Sequence, residues 1–346
     1  MKKQNTKKTE NKKDFLRLVD RFKGKKICVI GDIIADVYIF GKPYRLSREA
    51  PVVVVKYEEA KIYPGSAGNT ISNLLALGAY VYPIGFIGKD STGNKLMDYF
   101  SQFRNVDTSG IIRYNGSTVT KTRILAGDTH TSKQQVIRID RDDNRQYRQS
   151  EKAQLRDNLS RISASADTFI VSDYGHGAVD KYVVEYMKNI AKNKTVVGDS
   201  RYNLKSFKGL TLITPNESEA YQLSGLDEES PIEEVGNKIL RSMGLGALLI
   251  TRGNSGMTLF LKNGAVRHIP ISGKNDVTDV TGAGDTVCAV SSLSLASGAD
   301  FYTASRIANY AAGVVVMKRG TATISPEELK QAIEQSNTWV NDGSDN

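Results

Sequence analysis

Lys26-Ile27-Cys28-Val29-Ile30-Gly31 is a short apolar run with a lysine before it and a glycine at its end. A strand that wets one face alternates apolar and polar residues. A continuous apolar run predicts a strand covered on both faces, as in a parallel sheet packed under helices. The pattern recurs at 81–87, 168–172, 195–198, 210–214 and 247–251. Helical periodicity fills most of the intervals, at 67–77, 93–103, 150–162, 181–191, 217–223 and 232–243, with a short helix at 14–22 ahead of the first strand. Strand and helix in alternation predict an α/β fold with right-handed crossovers. Three helices close the chain, at 283–296, 302–317 and 326–335, the last starting from the N-cap Ser325.

Two segments break the alternation. Residues 38–59 contain Ala50-Pro51-Val52-Val53-Val54-Val55-Lys56-Tyr57, and residues 117–140 contain Thr118-Val119-Thr120-Lys121-Thr122-Arg123-Ile124-Leu125 and Gln135-Val136-Ile137-Arg138-Ile139-Asp140. Both have stretches of period two. They read either as a small second sheet, a flap over an active site, or as extra edge strands of the main sheet. No internal repeat is visible.

With 346 residues, 40% of them hydrophobic, the chain can bury one large α/β core. No apolar stretch approaches the roughly 20 residues of a membrane span, and the lysine-rich start is followed by no apolar segment, so it does not read as a secretory signal. Cys28 and Cys288 lie in apolar surroundings without metal-ligand spacing, which favours buried free thiols in a cytoplasmic protein over a disulfide. The net charge of +9 owes much to Lys2, Lys3, Lys7, Lys8, Lys12 and Lys13. A short charge run reads as a solvated, disordered tail over 1–13 rather than as a nucleic-acid site. The milder basic excess of the remainder suits anionic small ligands.

The chemistry concentrates in Asp279-Val280-Thr281-Gly282-Ala283-Gly284-Asp285, which runs straight into an apolar helix. Free N–H groups of Gly282, Ala283 and Gly284 at a helix N-terminus would form an anion hole for a phosphate, and small residues permit close approach. Asp285 in the first turn could take the proton of an attacking hydroxyl. A simple capping acid needs no Thr-Gly-Ala-Gly before it.

Other polar clusters follow strand ends, where open α/β sheets bind ligands. Gly31-Asp32-Ile33-Ile34-Ala35-Asp36 offers two acids to sugar hydroxyls or a pair of turn acids. Pro64-Gly65-Ser66-Ala67-Gly68-Asn69 offers a tight turn and the amide of Asn69, suited to a polyol, or a plain helix entry. Asp173 and Asp199 follow two further strands. Thr214-Pro215-Asn216-Glu217-Ser218-Glu219 could orient a phosphate and a hydrated Mg²⁺, or Asn216 could serve as an N-cap. His130, His176 and His268 form no ligand set, and His268 reads as structural. The P-loop pattern and the dinucleotide Gly-x-Gly-x-x-Gly are both absent.

Together these clusters resemble the PfkB (ribokinase-like) carbohydrate kinases from about residue 24 to residue 335, with 279–285 as the carboxy-terminal signature and 65–69 as the amino-terminal one, where Ser66 replaces the usual second Gly. The resemblance implies a single domain over 14–340. Its fold would be a ribokinase-like three-layer α/β/α sandwich, with a mostly parallel central sheet and a small β-sheet lid from about 38–59 and 117–140 that pairs two copies into a homodimer. It implies ATP, Mg²⁺ and a sugar as ligands, with no nucleic acid or membrane partner. Within the family the chain is most similar to the D-glycero-β-D-manno-heptose 7-phosphate kinases, on Gly31-Asp32 to Asp36, Arg45-Leu46-Ser47, Glu49-Ala50-Pro51-Val52, residues 134–140, Ser172-Asp173-Tyr174-Gly175, Ala311-Ala312-Gly313-Val314-Val315-Val316, and Gly320-Thr321 through Ser325-Pro326. Those enzymes carry the ATP γ-phosphoryl to the 1-hydroxyl and make the 1,7-bisphosphate, a step toward ADP-heptose. In bifunctional relatives a nucleotidyltransferase domain follows, and this chain reads as a stand-alone kinase.

Carried over residue by residue, the resemblance makes Asp285 the catalytic base. It makes Asp32, Gly65 and Asn69 the sugar site, to which Asp36, Asp173, Lys121, Arg123 and Arg138 are added as candidate substrate-binding residues. Asn216, Glu219, Thr251, Gly253, Gly256 and Asn309 fall to the nucleotide, with Glu219 reaching Mg²⁺ through water. Asp279 and Thr281 match positions that bind a potassium ion in some relatives. Two departures stand out: His176 replaces the Lys of Ser-Asp-Tyr-Gly-Lys-Gly, and Asp199-Ser200-Arg201 replaces Asp-Pro-Lys. Lysine and arginine hold phosphate differently. A distal phosphate would therefore draw on Lys121, Arg123, Arg138 and Arg201. A PfkB kinase for another sugar, or a sugar- or nucleotide-binding regulator, are the alternative readings; intact Asp285 and its glycines speak against the regulator.

Overall fold

The computed structural model describes residues 12–128, 133–142, 146–272 and 278–336. Residues 1–11 of the basic tail, His130 and the frayed end expected at 341–346 lie outside the described residues. Helix α1 (Lys12–Asp20) leads into β1 (Lys26–Gly31), so the expected tail gives way to helix at Lys12, two residues earlier than the spacing predicts. The chain then forms a long hairpin, β2 (Ile33–Leu46) and β3 (Val53–Ser66), enters α2 (Ala67–Ala76), and continues through β4 (Tyr80–Gly88), α3 (Ser91–Ser101) and β5 (Ile111–Tyr114). A second excursion makes β6 (Thr120–Ala126) and β7 (Gln134–Arg141). After α4 (Gln149–Ser163) come β8 (Thr168–Asp173), α5 (Lys181–Ile190), β9 (Thr195–Ser200), the two-residue β10 (Leu212–Ile213), α6 (Glu217–Ser224), α7 (Ile232–Met243) and β11 (Ala247–Thr251). The strands β12 (Met257–Leu261) and β13 (Val266–Ile269) precede α8 (Ala283–Ala296), α9 (Phe301–Val315) and α10 (Pro326–Gln335).

The main sheet has the order β13-β12-β11-β10-β9-β8-β1-β4-β5. Its strands are parallel from β5 to β11, and β12 and β13 extend it antiparallel. Side chains of β1 alternate between two cores: Ile27 and Val29 join the cluster under α2, α8, α9 and α10, whereas Cys28 and Ile30 join the one under α4, α5 and α7. That division explains the unbroken apolar run, because each face meets helices. Burying a side chain of that size is worth about 2 kcal/mol. Both cysteines are buried and free.

The two odd segments form a separate four-stranded sheet, β3-β2-β6-β7. Its base reaches lower than 38–59 suggests. Ile33, Ile34 and Ala35 pair with Ser66, Gly65 and Pro64, so the chain turns directly from β1 into β2 and carries Asp36 on a strand rather than a loop. Strand β2 runs parallel to β6, placing Asp36 opposite Lys121 and Tyr38 opposite Arg123 on one face. Period two then sends Ile124, Ile137 and Ile139 to the other face, where Ile137 and Ile139 are half exposed.

Strand β3 passes into α2 through Ser66, a non-glycine residue at φ 54°, ψ −125°. Side chains disfavour that region by about 1–3 kcal/mol. Ser66→Gly is therefore expected to raise the melting temperature by about 2 °C, read by calorimetry; a lower Tm refutes the strain.

Candidate active site

Acids and amides expected at strand ends gather at the carboxyl edge of β1, β8, β9, β10 and β11, below the small sheet. A cavity of about 650 Å³ opens there, bounded by Asp36, Lys121, Tyr174, Arg201, Glu219 and Asp285. Helix α8 points its N-terminus into it. Gly282, at φ 79°, precedes the first helical residue, and a Cβ there would lie 2.3 Å from Asn69 Nδ2, so both conformation and space demand glycine. The Ala283 N–H donates to Val280 O at 3.2 Å. Among the described residues no main-chain acceptor takes the N–H of Gly282, Gly284 or Asp285. The open donors are thus those three, and Ala283 is spent on the turn.

Asp285 is 5% exposed. Its Oδ1 accepts from the Tyr174 hydroxyl at 2.7 Å and its Oδ2 from Asn69 Nδ2 at 3.0 Å. Asn69 Nδ2 also donates to Gly282 O at 3.2 Å, tying the glycine loop to the carboxylate. Burial pushes the Asp285 pKa up to about 6, against the downward pull of the Tyr174 and Asn69 hydrogen bonds; Asp36 adds to the rise and Lys121 opposes it. A buried carboxylate ionised at neutral pH but tuned close to it is what proton abstraction from a hydroxyl requires.

Asp36 forms an ion pair with Arg123, both nearly buried, and the guanidinium lies over the Tyr38 ring. A Cβ on Gly65 would come within 2.3 Å of Asp36 Oδ2, so glycine there makes room for the acid. Lys121 projects from the same face of the sheet, its ammonium 5.3 Å from the Tyr174 ring centroid. Desolvation lowers its pKa. Among the described residues neither Lys121 nor Arg201 makes a salt bridge, and both border the cavity. Asn216 and Glu219 form a reciprocal capping box at α6, Asn216 Oδ1 taking the Glu219 N–H at 2.8 Å and Glu219 Oε2 the Asn216 N–H at 2.9 Å. Burial raises the pKa of Glu219 and, more strongly, of Asp199.

Of the other expected site residues, Thr251 and Thr281 alone among those that follow line the cavity. Asp32 is 3% exposed and its carboxylate is filled by the N–H groups of Tyr174, His176 and Ala178 at 2.8–3.0 Å. It holds the turn after β8 and presents no face to the cavity. Asp173 is likewise spent, on Gly175 N and Ser200 Oγ. Arg138 lies on exposed β7 and pairs with Asp140. His176 turns toward Asp142, Nδ1 to Oδ2 at 2.8 Å. Thr251 borders the cavity. Gly256 and Asn309 converge on a neighbouring segment: a Cβ on Gly256 would strike Ile269 O, and Asn309 Nδ2 donates to Pro270 O at 2.8 Å. Gly253 occupies the turn beside them. Burial pushes Asp279 up, yet the Thr281 hydroxyl and the N–H groups of Thr281 and Gly320 hold its pKa below the usual value. Sequence reasoning missed the Tyr174 hydroxyl, whose only signal was its position directly after a strand end and before a glycine.

An α/β sheet with a helix-capped anion hole, a buried carboxylate and a covering sheet defines an enzyme that transfers a phosphoryl group to a small hydroxylic acceptor. The chain belongs to the pfkB family of carbohydrate kinases, whose profile matches residues 24–328. Similar curated proteins include the bifunctional protein HldE of Geobacter sulfurreducens, 39% identical over 308 residues that cover 87% of this chain and 61% of that protein. The one from Trichlorobacter lovleyi is 36% identical over 322 residues, 91% and 64%. The chain thus spans under two thirds of the length of these relatives. Among solved structures, Escherichia coli phosphofructokinase-2 in complex with substrates and products matches with a TM-score of 0.75 at 15% identity, over 90% of this chain and 98% of that one. Arabidopsis thaliana ribokinase complexed with ribose and ATP matches with a TM-score of 0.68 at 18% identity, over 91% and 100%. Among the described residues no helix is long and apolar enough to cross a membrane.

Proposed function

We propose that the protein transfers the γ-phosphoryl group of ATP to the 1-hydroxyl of D-glycero-β-D-manno-heptose 7-phosphate, giving the 1,7-bisphosphate and ADP. The observation that carries this reading is the pair of cations, Lys121 and Arg201, that make no salt bridge among the described residues and share the cavity of Asp285. A neutral sugar offers them hydroxyl acceptors but no counter-charge, whereas a distal phosphate neutralises both. The similarity to the HldE proteins supports the same substrate. In this reading the sugar lies against Asp36 and Arg123, its hydroxyl proton passes to Asp285, and its oxygen bonds to the γ-phosphorus as the bond to ADP breaks. The free N–H groups of Gly282, Gly284 and Asp285 receive the charge on the transferring group. Thr251, Gly253, Gly256 and Asn309 accommodate the nucleotide.

Among the described residues no three His, Cys, Asp or Glu side chains form a metal cage, while Glu219 and Asp199 raise their pKa values together at the cavity edge. That acidic edge fits Mg²⁺ shared with phosphate and water, with Glu219 as its protein anchor. When bound, the ion supplies charge neutralisation of the phosphates. A potassium ion beside Asp279 and Thr281 fits the orphaned buried hydroxyl of Thr321, next to the Gly320 that bonds Asp279.

The test is ADP release with MgATP and a panel of acceptors: the heptose 7-phosphate, hexose phosphates and the free sugars. Preferential turnover of the heptose phosphate is expected, and no turnover of it refutes the assignment. Preference for another sugar phosphate would fit the departures at His176 and Arg201.

The exposed isoleucines of β7 support pairing of two copies through the small sheet. Ile139→Asp is expected to convert a dimer to a monomer in sedimentation velocity; a monomeric wild type refutes the pairing. The buried free thiols support a cytoplasmic location.

A further inference from the structure

We infer that Tyr174 is a positioning residue for the catalytic base, its hydroxyl holding the Asp285 carboxylate in the orientation that faces the acceptor. The inference rests on Asp285 as the base. The contact is direct, 2.7 Å from the hydroxyl to Oδ1, and the opposite oxygen is fixed by Asn69. Two donors from two different elements thus determine the carboxylate plane, and each oxygen keeps a lone pair for the acceptor proton.

The rest of the fold immobilises Tyr174. Its own N–H donates to Asp32 Oδ2 at 2.8 Å, and the same carboxylate binds the N–H groups of His176 and Ala178. Buried Asp32, which does not line the cavity, thereby acts on the base through the tyrosine. The Lys121 ammonium covers the ring. Burial and the carboxylates Asp285 and Asp199 keep the Tyr174 pKa well above 10, so the phenol stays protonated and donates throughout. It neither takes nor delivers the transferred proton. The groups facing Asp285 are Asp36 from β2, Asn69 from α2, Lys121 from β6, Tyr174 after β8, Asp199 from β9 and Cys288 from its own helix α8. Tyr174 and Asn69 are the two whose bonds pull its pKa down most.

Tyr174→Phe keeps the ring, the lysine contact and the backbone, and removes only the hydroxyl. The assay uses the full chain, MgATP and whichever panel acceptor the wild type phosphorylates fastest. The expected result is a kcat lower by about tenfold to hundredfold with KM for ATP and acceptor unchanged within about threefold. The acid limb of kcat, near pH 6 in the wild type, should move up by about one unit. An unaltered kcat overturns the inference, as does a loss of kcat with a matching rise in both KM values and a fixed acid limb. If no acceptor is phosphorylated, the heptose reading fails, and carboxyl ¹³C NMR decides the inference separately. With the Asp285 resonance assigned by its loss in Asp285→Asn, a higher midpoint in Tyr174→Phe supports the role, and an identical midpoint overturns it.

Discussion

Asp285→Asn lowers kcat by about 10³-fold while ATP still binds. Loss of a positioned general base costs about 10²–10⁴-fold, and no neighbour can replace it. Asp36 is bound up with Arg123, and Asp199 is held toward its neutral form by burial. The amide keeps the shape, and its oxygen can still accept from Tyr174 while its NH₂ replaces the acceptor of Asn69 Nδ2, which keeps its bond to Gly282 O. The fold should not suffer. Because the folded-state pKa of Asp285 is raised to about 6, its stabilising protonation is complete below the unfolded value and is lost as the pH rises through 6. At pH 8 the buried charge therefore costs stability, and the amide removes that cost. The expected outcome is an equal or higher Tm, unaltered ATP affinity by calorimetry, and residual turnover flat across pH 5–8. Near-normal turnover would refute the base.

Lys121→Ala and Arg201→Ala have the second largest effect. Each removes one charge-assisted contact to a distal phosphate, worth about 1.5–3 kcal/mol, which raises KM for the phosphorylated acceptor by about tenfold to a hundredfold. KM for a free sugar should barely change. KM is the readout for both, because Arg201 also acts on Glu219 at the cavity edge and Lys121 on Asp285 and the Tyr174 ring, which kcat would register. If Lys121→Ala raises KM for ATP and leaves the acceptor alone, the cation belongs to the nucleotide and the assignment of a distal phosphate fails. Arg201→Lys should restore charge without the planar fork and recover only part of the affinity.

Strands and helices with strong periodicity were legible. The run at 26–31 and the helix at 283–296 match β1 and α8 residue for residue, since continuous burial leaves an unmistakable apolar pattern. The strand-like run around His268 is β13, whereas β5 at Ile111–Tyr114 and β12 were not read as strands. They are four or five residues long and lie where one short apolar run looks like any other. In the site, the glycine loop and Asp285 were legible because backbone geometry and chemistry both demand those residue types at that spacing.

The acids were harder to read. Asp32 and Asp36 are four residues apart after the same strand, yet one is filled by three N–H groups from the turn after β8 and the other faces Lys121 across β2 and β6. Nothing local separates them. A carboxylate's role depends on which donors arrive from elsewhere in the chain, and the same holds for Arg123, Lys121 and Arg201, of which Asp36 claims only Arg123; Arg138 alone has its partner close by, Asp140 on the same strand. The sequence by itself determined the layered fold and the reaction class and pointed to the residue proposed as its base, because burial patterns and a phosphate cradle are local properties of the chain. Only the tertiary structure decided what pairs with Asp36 and what holds Asp285 in place, because Arg123 comes to Asp36 from 87 residues away and the donors to Asp285 from segments 111 and 216 residues away.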